Sequence, residues 1–144
     1  MGFEDARSQS AFGRTVPAVA ENVAPLRHAI VDLAARAGAE ELVRTDLALA
    51  VGEACANVVV HAYPPGDTGP LIVQASVDGN EIVVTVVDQG QGMTPRPDSP
   101  GLGLGLPLIA NLSDRLEIQE GPESVGTQLE MVFALKRTAD CKKR

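Results

Sequence analysis

An α+β fold is predicted, a two-layer arrangement with one mixed, mainly antiparallel sheet and all helices on one of its faces. Three observations predict it. The apolar period is helical up to about residue 62 and strand-like from residue 71. Asp78-Gly-Asn80 stands between two β-branched runs, a strong hairpin signal. The resulting order (strand, helix, helix, strand pair, helix, strand pair) gives a layer of helices only one sheet to cover.

Each element has its own warrant. Ala11 to Val16 reads as a short first strand. Val23 to Ala37 carries Leu26, Ile30, Leu33 and Ala34 at helical spacing, with Pro25 in the first turn and Gly38 as the stop. A second helix is expected from Glu40 to Ala62, its stripe being Leu47, Val51, Ala54 and Val58, with Pro64-Pro-Gly66 ending it. Leu71 to Val77 and Glu81 to Val87 form the hairpin. Gln89 to Gly103 reads as a glycine- and proline-rich loop, and Leu104 to Leu112 as a short third helix. Arg115 to Gln119 and Thr127 to Leu135 close the chain as a second hairpin around Gly121-Pro122 and Gly126. The domain is expected over residues 11 to 136, between a loose N-terminus of residues 1 to 10 and a basic tail of residues 137 to 144.

At 144 residues the chain is long enough to bury about two-thirds of its unfolded surface. Hydrophobic residues make up 44% but aromatic ones only 3%, so the core must be aliphatic. A formal charge of −7 argues against binding a phosphate backbone, which needs a basic stripe, and no nucleic-acid partner is expected. Cys55 in an apolar helix and Cys141 in a polar tail read as free thiols, which favours a reducing, cytoplasmic setting. No signal core or lipidation motif is recognised, and no run approaches the ~20 apolar residues of a membrane span, so no membrane partner is expected.

The most informative stretch is Asp88-Gln-Gly-Gln-Gly-Met93, followed by Gly101-Leu102-Gly103-Leu104-Gly105: an acidic side chain and two glycine clusters directly after an apolar strand. Upstream, Glu53 and Asn57 stand four apart, on one helix face, about 5–6 Å apart at Cβ. Taken alone, that pair reads as a solvated helix face. Together with the glycines it suggests a base, a metal ligand and a phosphate cradle for a nucleotide. No lysine occurs before Lys136, and neither the G-x-x-x-x-G-K-[ST] loop nor the G-x-G-x-x-G dinucleotide fingerprint is present. What remains for neutralising a polyphosphate is Mg²⁺ and the N-terminus of the helix expected to begin near Leu104.

Glu53-x-x-x-Asn57, Asp88-x-Gly90-x-Gly92, Gly101-x-Gly103-x-Gly105 and Gly126-Thr127, in this order and spacing, resemble the four nucleotide-binding boxes of the GHKL ATPase superfamily. The phrase Glu53-Ala-Cys-Ala-Asn57-Val-Val-Val-His61-Ala-Tyr63 and the compact size most resemble the bacterial anti-sigma-factor serine kinases. The similarity spans about residues 11 to 136. It implies the two-layer α/β sandwich of the Bergerat, histidine-kinase-like ATPase type. It also implies ATP as nucleotide, phosphorylation of a serine on a small antagonist protein, regulation of a sigma factor by partner switching, and a homodimer.

Chemistry then suggests roles. Asp88 can accept the exocyclic N–H of adenine, whereas the O6 of guanine would be repelled, which predicts ATP over GTP. Gly90 and Gly92 are read as letting the backbone approach the base. Gly101, Gly103 and Gly105, with Leu102 and Leu104 between them, are read as a loop folding over the phosphates. Asn57 offers a neutral amide oxygen to Mg²⁺, and Glu53 is placed to take the proton of an attacking hydroxyl. Met93 reads as a lid hydrophobe at the nucleotide, Thr127 resembles the family threonine of the adenine network, and His61 reads as a helix-end or core histidine on the same helix face as Glu53 and Asn57. Two other functions fit the boxes, a non-catalytic nucleotide-gated binding module and the catalytic domain of a split histidine kinase. Glu53 argues against the first, since a pure binder needs no base, and the lack of a phosphoacceptor-histidine helix argues against the second.

Overall fold

In the computed structural model, residues 11–90 and 100–137 are described, with the side chains of residues 100–104 left aside. Strand β1 (Ala11–Pro17) leads through a 3₁₀ turn (Ala20–Asn22) to α1 (Val23–Arg36) and α2 (Glu41–Asn57). A π-helical turn (Val58–Ala62) extends α2. The hairpin of β2 (Pro70–Asp78) and β3 (Glu81–Asp88) follows, then α3 (Pro100–Leu112), β4 (Arg115–Glu120) and β5 (Thr127–Ala134). The strands form one five-stranded sheet in the order β1-β2-β3-β5-β4, and each of its four pairings is antiparallel. The α+β fold expected from the sequence is therefore present, with no parallel pair among the described residues.

Alternation places the core. Leu71, Val73 and Ala75 of β2, Ile82, Val84 and Val86 of β3, and Leu129, Met131 and Phe133 of β5 are all buried on one face. They join Leu26, Ile30, Leu33 and Ala34 of α1, Leu47, Val51, Ala54 and Val58 of α2 and its π turn, and Ile109 and Leu112 of α3 in a single cluster. The helical stripes read from the sequence are thus the buried ones, and the core is aliphatic apart from Phe133. Across the sheet, Gln74 and Ser76 are exposed.

The β2–β3 turn pairs Asp78 with Glu81, leaving Gly79 and Asn80 as the two-residue loop. Gly79 takes φ +61°, the conformation that a glycine at the first central position of a tight hairpin supplies without strain.

Two expectations need correction. The third helix begins at Pro100 rather than Leu104, so Gly101, Gly103 and Gly105 lie within a helix and the loop expected from Gln89 to Gly103 ends earlier. Pro100 at the first helical position brings a pre-set φ and lacks only an N–H that would have no partner there. The longer helix leaves Pro107 in its interior, where it has no N–H for the carbonyl of Gly103. Second, Arg137 is docked and not the start of a free tail. Its guanidinium is 3.1 Å from Asp46 and 3.8 Å from Asp114, at 11% side-chain exposure, while its backbone N–H donates to Glu40. This ionic contact ties the chain after β5 to the start of α2, at the end of the sheet away from Asp88.

Candidate nucleotide site

Three elements deliver the candidate residues to the other end of the sheet. Glu53 and Asn57 come from the last two turns of α2, Asp88 is the last residue of β3, and Thr127 is the first of β5. Because β5 runs beside β3, Thr127 lies directly across from Asp88 in the register. Both are buried, Asp88 completely. The Asp88 carboxylate accepts a hydrogen bond from the Gly90 N–H at 2.9 Å, so one of its oxygens has a fixed direction. Gly126, immediately before Thr127, takes φ +69°, and a Cβ there would lie 1.9 Å from the Asp88 carbonyl oxygen. Only glycine permits both this turn and this approach.

The glycine helix closes on the acidic one. A Cβ on Gly105 would sit 2.7 Å from Glu53 Oε2, 2.8 Å from Asn57 Nδ2 and 3.2 Å from Asn57 Oδ1. Glu53 is half-buried and Asn57 is 4% exposed. The Asn57 Nδ2 is buried with no hydrogen-bond partner among the described residues. The partnerless Nδ2 calls for an acceptor such as a phosphate oxygen, while the Oδ1 of the same amide is a neutral oxygen that fits a hard cation. Mg²⁺ takes one or two protein oxygens and leaves its other positions to water and phosphate. Among the described residues no group of three or more His, Cys, Asp or Glu could hold a metal ion.

Gly90 makes a contact within the fold that the sequence does not reveal. Its missing side chain makes room for the Ala62 carbonyl, which a Cβ would approach to 2.0 Å, and for the Tyr63 ring. Tyr63 itself carried no assigned role in the sequence reading. Its hydroxyl donates to the Pro70 carbonyl at 2.5 Å and accepts from the Gln89 N–H at 2.9 Å. Burial raises the pKa of the phenol, and the nearby Asp88 charge adds to the rise, while the Gln89 hydrogen bond opposes it. A sequence signal existed: this is the only tyrosine of the chain, placed just after a helix end in an otherwise aliphatic protein.

The remaining candidates divide simply. His61 is half-buried in the π turn that follows Asn57. Gly101, Leu102, Gly103 and Leu104 belong to the first turns of α3. Gly92 and Met93 lie outside the described residues. Cys55 is fully buried, and burial pushes its thiol up to about 12, so it is packing and not a nucleophile. Among the described residues no helix is long and apolar enough to cross a membrane.

Comparison with known proteins gives the same direction as the geometry. The chain is 38% identical to the serine-protein kinase RsbW of Halalkalibacterium halodurans, over 85% of this chain and 82% of that protein. It is 31% identical to the anti-sigma F factor of Clostridium perfringens over 64% of this chain and 71% of that protein. With the anti-sigma F factor of Pasteuria penetrans it shares 27% identity over 94% and 89% of the two chains. Residues 16–133, nearly the whole of the described fold, match the histidine kinase-like ATPase domain, and the chain belongs to that family.

Proposed function

We propose that this protein is an ATP-dependent protein serine kinase of the anti-sigma-factor type, which phosphorylates a small antagonist protein and controls a sigma factor by exchanging partners. The observation that carries this reading is the approach of Gly105 to Glu53 and Asn57, which gathers a carboxylate, an amide and a side-chain-free backbone where phosphates would lie. The names of the relatives, a serine-protein kinase and anti-sigma F factors, support the substrate class and the second partner. A homodimer and a cytoplasmic setting belong to the same reading, on the ground of the family resemblance and the free thiol of Cys55.

Asp88 would hold the adenine amino group, and its buried carboxylate at a strand end would reject guanine. Thr127, opposite Asp88, would complete the base pocket. Asn57 would hold Mg²⁺, which would supply positive charge to neutralise the charge that develops during transfer. Glu53 would accept the serine proton as the serine oxygen bonds to the γ-phosphorus and the bond from that phosphorus to ADP breaks. The half-buried Glu53 leaves room for a hydroxyl from another protein to reach it.

The test is phosphoryl transfer from labelled ATP to proteins encoded beside the gene, followed by acid treatment. Phosphoserine survives acid and phosphohistidine does not, so acid-stable label supports the serine kinase and acid-labile label would indicate a histidine kinase. In the same assay under single turnover, Glu53→Gln is expected to keep nucleotide affinity and to slow transfer by about 10²–10⁴-fold. Unchanged transfer in that variant would remove the base, and no transfer in the wild type to any partner would favour a nucleotide-gated binder.

A further inference from the structure

The β2–β3 ladder ends at the pair Leu71–Asp88. The next polar groups outward, the Pro70 carbonyl and the Gln89 N–H, are joined through one phenol, since the Tyr63 hydroxyl donates to the first and accepts from the second. The ring that brings this hydroxyl is held between two glycines. A Cβ on Gly69 would lie 2.2 Å from Tyr63 Cε1, and one on Gly90 would lie 2.8 Å from Cδ1. Gly90, fixed in this way, donates its N–H to Asp88 Oδ1. A carboxylate has a broad terminal torsion of its own, so a hydrogen bond from a held backbone helps to fix its direction.

We propose that Tyr63 is a positioning residue for base recognition: by holding the Gln89–Gly90 backbone it sets the orientation of the Asp88 carboxylate, and with it the preference for adenine over guanine. The proposal rests on the reading of Asp88 as the acceptor of the adenine amino group. Tyr63 follows directly on the π turn that begins after Asn57, so the same short segment joins the end of α2 that carries the candidate metal ligand to the strand end that carries the base acceptor. Single π turns are recurrent at functional sites, where they re-aim the residues that follow. A phenol acting only as a strut would influence all nucleotides alike. One that orients Asp88 matters for adenine.

The experiment is calorimetry with ATP and with GTP on wild type, Tyr63→Phe and Asp88→Ala, each checked by thermal unfolding. Tyr63→Phe keeps the ring between Gly69 and Gly90 and removes only the hydroxyl, so the fold should persist. Its Kd for ATP is expected to rise by about 3- to 10-fold, the range for one lost hydrogen bond to a partly solvated backbone, while that for GTP stays within about twofold. Asp88→Ala is expected to abolish the preference altogether. If Asp88→Ala keeps wild-type selectivity, the reading of Asp88 fails and the proposal with it. If Asp88→Ala loses selectivity but Tyr63→Phe keeps the wild-type ATP-to-GTP ratio, the proposal alone is overturned. A parallel loss for both nucleotides together with a lowered Tm would also overturn it, leaving a strut. Should Tyr63→Phe fail to fold, ring-labelled tyrosine gives a single resonance in the wild type, because the chain has one tyrosine. Saturating ADP is expected to shift that resonance and GDP to leave it nearly in place, and a resonance unmoved by ADP would refute the proposal.

Discussion

Replacing Gly105 with alanine separates the stability of this fold from its chemistry. The added methyl group would meet Glu53 Oε2 at 2.7 Å and Asn57 Nδ2 at 2.8 Å. Glycine in a helix costs about 1 kcal/mol relative to alanine, so the helix itself gains from the change. Against this, the half-buried Glu53 carboxylate must swing aside, at about 0.5–1.5 kcal/mol if it leaves its rotamer, and the buried Asn57 amide must give way too, since its Nδ2 would stand only 2.8 Å from the new methyl group. These effects cancel to within about 1 kcal/mol, a change in Tm of no more than about 4 °C for a domain of this size. Binding does not cancel. A displaced Asn57 amide would spoil the site proposed for a cation that demands near-octahedral geometry, and the affinity for Mg·ATP is expected to fall at least tenfold, about 1.4 kcal/mol. Gly52→Ala is the matched control. It also lies inside a helix, but its Cβ would stand at an ordinary 3.5 Å from the Arg27 side chain. It should raise stability by about 1 kcal/mol and leave nucleotide binding alone. Calorimetry and thermal unfolding on the two variants decide the matter. Wild-type Mg·ATP affinity in Gly105→Ala, or its loss in Gly52→Ala, would refute the assignment of this helix contact to the nucleotide.

Gly126→Ala should damage both fold and base pocket. A left-handed alanine costs about 1–2 kcal/mol and a methyl group forced 1.9 Å from the Asp88 carbonyl about 1–3 kcal/mol more. A loss under about 1 kcal/mol in urea unfolding would contradict the contact. Cys55 predicts an alkaline weakening. Its thiol stays neutral in the fold up to about 12 but ionises near 9.0 when the chain unfolds, so the stability it contributes is complete below pH 9 and declines as the pH rises toward 12. At pH 10 the wild type should have lost roughly 1 kcal/mol through this group, and Cys55→Ala should not. Urea midpoints of the two proteins that fall in parallel between pH 8 and 10 would remove this cause.

Much of the fold was legible because periodicity states which face of an element is apolar. Leu26, Ile30, Leu33 and Ala34 had to share one side of α1 whatever they packed against, and they are its buried residues. The alternation from Leu71 to Val86 required a sheet with one covered face, and Gly79 required the tight turn between its strands. The order and spacing of Glu53, Asn57, Asp88 and the glycines likewise pointed to a nucleotide before any contact was known. What local pattern does not carry is the distance of closest approach between segments far apart in the chain. That β5 lies between β3 and β4, setting Thr127 opposite Asp88 and Gly126 against its carbonyl, follows from sheet order. The extension of α3 back to Pro100 overrode the poor helix propensity of three glycines, and Gly105 then met Glu53 and Asn57. Arg137 reads as tail in the sequence and becomes part of the fold only because Asp46 and Asp114 converge on it. Tyr63 shows the same limit: one hydroxyl acquires its meaning from Pro70 and Gln89, which only the folded chain brings within hydrogen-bond reach.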